Sequence, residues 1–263
     1  MKNDDVNAAV TVEKLTSHVM LVQINRPEVR NAVNGAVARG LDQACKQIEA
    51  DPDAWVVILT GAGDQAFCAG ADLKEMAAGN RDALFTADGG FAGFAHAKRS
   101  KIWIAAINGT AVAGGLEIML ACDMVVAADT ATFGLPEVKR SLIALAGGVY
   151  RLARAIPRNV AMEMIATGDV IDAARAHSLG LVSRVVPPQE LRRAALELAE
   201  SICRNAPMAV RESIALARSA ADLTETELRE AGEAARKRLY ATEDFREGPR
   251  AFVEHRAPKW TGR

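Results

Sequence analysis

Short β-branched runs alternate with helical stretches through the first two thirds of this chain, and nothing restricts its fold more. Val19-Met20-Leu21-Val22-Gln23-Ile24 reads as a strand closed by Asn25-Arg26-Pro27, since proline carries no ladder donor. From Val37 to Ile48 the apolar residues Val37, Leu41, Ala44, Cys45 and Ile48 recur at helical spacing. Trp55 to Thr60 predicts the next strand, and Gly61-Ala62-Gly63-Asp64 its turn. The cycle then recurs: Ile102 to Ile107 strand, Asn108-Gly109 turn, Leu116 to Cys122 helix, Met124 to Ala128 strand. Such alternation calls for an α/β architecture. Its period is too irregular for a standard solenoid repeat.

The last third differs. After Pro188 no strand pattern remains; Leu191, Ala195, Leu198, Ala199 and Ile202 form a helical stripe, a second helical pattern follows Asn205-Ala206-Pro207, and a third runs from Glu225 to Tyr240. These stripes need a surface to cover, in this chain or in a neighbouring subunit. A boundary near Arg204 divides residues 1–203 from residues 204–263.

With 263 residues, half of them apolar, the chain can bury one large core. Lys and Arg number 32 against 33 Asp and Glu, so no basic surplus points to nucleic acid or an anionic membrane. Cys45, Cys68, Cys122 and Cys203 form no CxxC pair, which fits the reduced thiols of a cytosolic enzyme better than a disulfide or zinc framework. The start, MKNDDVNAAVTVEKL, is polar and lacks the apolar segment of a signal peptide. No run reaches the ~18 apolar residues of a membrane span. The expectation is a soluble cytoplasmic protein with neither nucleic-acid nor membrane partners.

Chemistry concentrates in IAAINGTAVAGGLEIMLACDMVVAADTATFGLPEV, where Glu117 follows Gly114-Gly115 and Glu137 follows Pro136. An ionisable group in so apolar a stretch normally has a partner or a catalytic task. Each also fits a purely structural reading, as a carboxylate favoured at a helix start. Three glycine-rich segments surround the pair. Gly61-Ala62-Gly63-Asp64-Gln65-Ala66 imitates a dinucleotide fingerprint, but Phe67-Cys68-Ala69-Gly70 intervenes before any helix, so a strand-exit turn is preferred. Gly109 to Gly114 has P-loop glycine spacing, yet Gly115 and Leu116 stand where Lys and Ser/Thr are needed. What remains is a turn whose free N–H groups at a helix start suit a carbonyl oxygen, or a glycine pair that only permits close packing. Ala69-Gly70-Ala71-Asp72 is a second small-residue turn of the kind a two-donor oxyanion hole requires. The histidines lie outside these motifs and no GxSxG elbow occurs, which disfavours a hydrolase triad.

The segments FCAGADLKEM, INGTAVAGGLEIMLACD and FGLPEVKR, with NRPEVRNAV, TGDVIDAARAHSLGLVSRVVP and ATEDFREGPRAFVEHRAP around them, strongly resemble the crotonase superfamily, and enoyl-CoA hydratases in particular. The resemblance covers nearly the whole chain. It implies a superhelical core of ββα units with a C-terminal helical region that makes trimer contacts, as a homotrimer or a hexamer built from two trimers. By position it implies an oxyanion hole from the N–H groups of Ala71 and Gly114, with Glu117 activating water and Glu137 donating the proton as a trans-2-enoyl-CoA is hydrated to a 3-hydroxyacyl-CoA, a step of fatty-acid and lipid metabolism. It implies no metal and no cofactor beyond the CoA carried by the substrate. Ala69, Asp72 and Leu73, in the same motif as Ala71, are expected to contact substrate or CoA. Arg30, in the RPEVRNAV turn, is a candidate for CoA phosphates, with a solvated surface arginine as its structural alternative.

Departures from the family pattern bear on substrate. The GGG turn is Ala113-Gly114-Gly115, a change expected to be tolerated, and Ser141 to Gly148 replaces a proline- and glycine-rich loop with bulkier residues. That opens the acyl specificity, and PEVKR resembles members that handle branched, carnitinyl or steroid-derived acyl groups. His255 stands where the family commonly has lysine near a neighbouring subunit's CoA, while Phe252 is retained for stacking near adenine. A Δ3-Δ2 isomerase, a carnitinyl-CoA dehydratase and a non-catalytic acyl-CoA-binding protein are the alternatives.

Overall fold

The computed structural model describes residues 8–263; residues 1–7, part of the polar segment read for targeting, lie outside it. Strands β1 (Val10–Lys14) and β2 (Val19–Ile24) lead through helix α1 (Gly35–Ala50) to β3 (Val56–Gly61), β4 (Ala66–Cys68) and the short α2 (Leu73–Ala77). A small hairpin, β5 (Phe85–Thr86) and β6 (Gly90–Phe91), precedes a second turn of the spiral: β7 (Ile102–Ile107), β8 (Thr110–Val112) and α3 (Gly114–Leu120). A third supplies β9 (Met124–Ala128) and β10 (Thr132–Gly134). Helices α4 (Gly148–Ala155) and α5 (Arg158–Thr167), strand β11 (Val170–Asp172), helix α6 (Ala173–Ser178) and strand β12 (Arg184–Val186) complete the core. Four helices end the chain: α7 (Leu191–Cys203), α8 (Pro207–Ser219), α9 (Glu225–Tyr240) and α10 (Glu243–Val253).

Each spiral turn gives one strand to each of two sheets. The larger runs β1-β2-β3-β7-β9-β12, parallel from β2 onward, and the smaller β11-β10-β8-β4. Because strand side chains alternate between faces, β2 sends Met20, Val22 and Ile24 into the main core and Val19 and Leu21 to the opposite face. Strand β7 is buried at all six positions, as a central parallel strand covered on both faces must be. Helix α1 packs on the inner side through Val37, Leu41, Ala44, Cys45 and Ile48, the predicted stripe, and Asn34 caps it by accepting from the Val37 N–H.

The outer face of the large sheet is covered by α7, whose Leu191, Ala194, Ala195 and Ala199 join Val56, Ile58, Ile102 and Ile104 in a second core. Val210 and Ile214 of α8 pack at its margin. Part of the surface sought for the late helices is therefore the sheet of the same chain. Among the described residues no helix is long and apolar enough to cross a membrane.

One guanidinium fastens α8 to this framework. Arg218 donates to both carboxylate oxygens of Asp123 at 2.7 Å and to the carbonyls of Arg99 and Lys101, while Asp123 also accepts from the Trp103 N–H at 2.8 Å. Arg218→Ala strands a nearly buried carboxylate with one partner, and is expected to lower unfolding free energy in urea by about 2 kcal/mol. Arg218→Lys should recover only part of this, because an ammonium cannot make the two-pronged contact.

Candidate active site

The small sheet assembles the site. Strands β4 and β8 are parallel neighbours, as are β8 and β10, so their C-terminal ends release three segments side by side: Ala69-Gly70-Ala71, Ala113-Gly114 and Leu135-Pro136-Glu137. The approach of the first two leaves no room for side chains. A Cβ at Gly114 would stand 2.4 Å from the Phe91 ring, and one at Gly115 1.9 Å from the Cys68 carbonyl oxygen. Gly70 has φ +88°, and a Cβ there would meet the Ala113 methyl at 2.9 Å and the Gly114 nitrogen at 3.0 Å. Ala113 adopts φ 52° and ψ −130°, a region costly to any residue with a Cβ, so its methyl comes with backbone strain. Two bonds hold it there: its N–H to the Gly134 carbonyl at 3.0 Å, and its carbonyl to the Glu117 N–H at 3.1 Å. Among the described residues neither the Ala71 nor the Gly114 N–H donates to a protein acceptor. Close packing and free donors thus coexist in one pair of turns, and the two readings of the glycines are not exclusive.

Neither glutamate spends its carboxylate on capping a helix. Glu117 lies in the first turn of α3, is 4% exposed, and its Oε1 accepts from the Gly148 N–H at 2.9 Å. Burial pushes its carboxyl up, against the Gly148 and Ala146 N–H groups and the Arg151 charge, which lower it. Gly148 is itself sterically required, since a Cβ there would stand 2.6 Å from the Ala144 methyl. Glu137 opens the 3₁₀ turn Pro136–Arg140, and its Oε2 is buried without a partner among the described residues. Burial is the main cause that raises its carboxyl to about 7; the Glu117 charge adds to it, while its own backbone N–H and Arg140 oppose it.

Both carboxylates line a cavity of about 580 Å³, together with Ala71 and Gly114. Arg30, Ala69 and Leu73 line it too, with the Ala69 N–H donating to the Arg30 carbonyl at 3.1 Å. Asp72 does not line it. Its Oδ1 accepts from the Lys74 N–H to cap α2, and its Oδ2 pairs with Arg26 at 3.0 Å, so the Asp72 side chain is occupied in structure. Phe252 and His255 also lie outside the cavity; Phe252 is 82% exposed on α10, and His255 follows with φ 53°. In place of the family's proline- and glycine-rich loop, Leu142, Ile143, Leu145 and Ala146 form part of the wall.

Sequence reasoning missed Phe91, His96, Arg81 and Arg140, all at the cavity. Phe91 had a signal in the preceding Gly89-Gly90, and Arg140 in its place three residues after Glu137. His96 had none; its Nε2 lies 3.0 Å from the Tyr150 hydroxyl, 54 residues along the chain. Gly61-Ala62-Gly63 passes from β3 to β4, strand to strand, which removes the dinucleotide reading. Among the described residues no three His, Cys, Asp or Glu side chains converge on a possible metal position.

Residues 14–263 match the enoyl-CoA hydratase/isomerase family. An (E)-benzylidenesuccinyl-CoA hydratase of Thauera aromatica is 41% identical over 259 residues, 96% of this chain and 99% of that protein. A carnitinyl-CoA dehydratase of Proteus mirabilis is 39% identical over 251 residues, 93% and 95% of the two chains. The solved structure of an enoyl-CoA hydratase from Mycobacterium tuberculosis superposes with a TM-score of 0.93 at 40% identity, covering 98% of this chain and all of that one. With crotonase-fold neighbours along its whole length and a family match from residue 14 onward, the chain belongs to the enoyl-CoA hydratase/isomerase family of the crotonase superfamily.

Proposed function

We propose that this enzyme adds water to a trans-2-enoyl-CoA, giving a 3-hydroxyacyl-CoA through an enolate stabilised by the Ala71 and Gly114 N–H groups. The observation that carries the reading is that a buried Glu117 and a half-buried Glu137 share one cavity with two backbone donors that lack protein acceptors among the described residues. In this reaction the thioester oxygen gains charge as water attacks the β-carbon, and pre-aimed N–H donors stabilise that charge. Glu117, held by Gly148, takes a proton from the water; Glu137, raised by burial, gives one to the α-carbon. Elimination from a hydroxyacyl-CoA uses the same pair in reverse, so a dehydratase direction needs no further residue. An isomerase needs no attacking water, and keeping both carboxylates favours hydration over it.

A trimer, or a hexamer of two trimers, formed through residues 204–263 is part of the same proposal. It is supported by the exposure of Phe252 and Val253 on α10, at 82% and 75%. A cytoplasmic setting fits four free thiols, each pushed well above its ordinary value, foremost by burial. CoA is then the only cofactor-like group involved, and it arrives with the substrate.

Glu117→Gln and Glu137→Gln should each lower kcat on crotonyl-CoA or a longer enoyl-CoA by about 10³-fold or more, followed as loss of the conjugated thioester absorbance. Wild-type rates in both variants would end the assignment. The pH dependence has a definite sign. Glu137 donates only while protonated, so kcat should fall as pH rises through about 7, and Glu117 accepts only while ionised, so it should also fall toward acid. Stability follows the same group. The folded state favours neutral Glu137, so the unfolded chain loses this proton first and stability declines from about pH 4.5 to 7. Glu137→Gln removes that decline, and its melting temperature relative to wild type should be higher at pH 8 than at pH 5.

A further inference from the structure

The cavity holds more positive charge than the reacting end of a thioester can use. Arg30, Arg81 and Arg140, all exposed at its rim, line it, and among the described residues none of their guanidinium groups makes an ion pair or a hydrogen bond. Several neighbouring cations are engaged. Lys139 pairs with Asp169 at 2.7 Å, Arg151 donates to the Ala95 and Ala146 carbonyls, and Arg26 is held by Asp72.

The three arginines enter from different walls. Arg30 stands beside Ala69, next to the turn that carries the Ala71 donor, a position suited to a CoA phosphate. Arg81 and Arg140 come from two 3₁₀ turns, Arg81–Leu84 and Pro136–Arg140. In such a turn residues i and i+3 eclipse one another, and here the eclipsed partners, Leu84 and Glu137, also line the cavity. Both guanidinium groups therefore share a face with residues that look into the acyl space. The wall between them is apolar, made by Phe85, Leu142, Ile143 and Leu145. A plain hydrocarbon chain would meet that wall and make no use of the two guanidinium groups, which stay hydrated at the rim. A chain with an ionised end would satisfy both, since planar guanidinium groups match carboxylates in two-pronged, charge-assisted bonds.

We propose that Arg81 and Arg140 select an acyl-CoA whose acyl chain carries a second, free carboxylate, so that the substrate is the monothioester of an unsaturated dicarboxylic acid. This rests on the acyl-CoA reading above. The reaction at the double bond is unchanged by it; the remote carboxylate supplies binding energy and orientation.

Calorimetric titration with glutaryl-CoA and pentanoyl-CoA tests it. These have equal chain length, differ in the terminal carboxylate, and are saturated, so neither can be hydrated. Wild type should bind glutaryl-CoA about tenfold or more tightly, Arg81→Gln and Arg140→Gln should each cut that preference by about fivefold, and Arg140→Lys should keep part of it. Equal binding of the two ligands by wild type overturns the proposal. So does a loss of affinity in the variants that is the same for both ligands, which would assign the arginines to CoA phosphates. A parallel crotonyl-CoA hydration assay separates the two readings: hydration without carboxylate preference defeats this inference alone, and preference without hydration of any enoyl-CoA defeats the hydratase assignment alone. Binding of neither ligand defeats both.

Discussion

The close parallel approach of β4 and β8 is the constraint on which the site depends. Where these strands end, the backbone at Gly115 meets the Cys68 carbonyl so tightly that a single methyl would overlap it, and Gly114 lies equally close to the Phe91 ring. That proximity turns two ordinary strand exits into two N–H donors side by side. It also explains the strain at Ala113, which is held at positive φ because the Gly134 carbonyl and the Glu117 N–H fix the turn from both sides. The larger sheet, buried on both faces, supplies the rigidity that makes such a turn tolerable.

Electrostatics then follow from position. Glu117 and Glu137 arise from consecutive strands of the small sheet, β8 by way of α3 and β10 by way of its 3₁₀ turn, so their carboxylates reach the same cavity from adjacent walls. Desolvation acts on both in the same direction, but their partners differ. Glu117 receives an N–H from Gly148 and feels the Arg151 charge, whereas the buried Oε2 of Glu137 receives no donor among the described residues. An asymmetric pair of this kind can hold one proton between two carboxylates, which is the state an acid and a base need at the same moment.

What the sequence revealed, and what it hid, divides by length and by contact order. The long strands β7 and β9 and the helices α1 and α9 were legible because four or more residues carry a clean period. The small sheet was not, since β4, β8, β10 and β11 have three residues each, too few for alternation to show. Helices α4 to α6 were likewise unread as helices, being short and buried in a segment noticed only for its family resemblance. Of the site, the glycine turns and the two acids stand out in an apolar stretch, but they admit a structural reading as well; the roles of Ala71, Gly114, Glu117 and Glu137 come from the family resemblance. Asp72 shares its motif with Ala71, which suggests a ligand contact, but its side chain belongs to a helix cap and an ion pair. Arg81, Arg140 and His96 escaped because an arginine or histidine in a polar loop has no local mark of the cavity it borders.

The division between chemistry and specificity has a structural origin. The donors and the acids stand on strand ends within a sheet whose spacing fixes them, and changes there meet steric walls at once. Another part of the cavity wall, by contrast, is made by Leu142, Ile143, Leu145 and Ala146 and by residues between Arg81 and Phe91, which lie outside the two larger sheets and leave Ile143 and Leu145 about two-thirds exposed. Phe91 aside, whose ring packs on Gly114, substitution in those segments alters the shape and charge of the cavity without touching the turn at Gly114. Replacement of the family's proline- and glycine-rich loop by bulkier residues between Ser141 and Gly148 is a change of this kind. It keeps the Gly148 N–H bond to Glu117 while giving the cavity wall bulkier side chains.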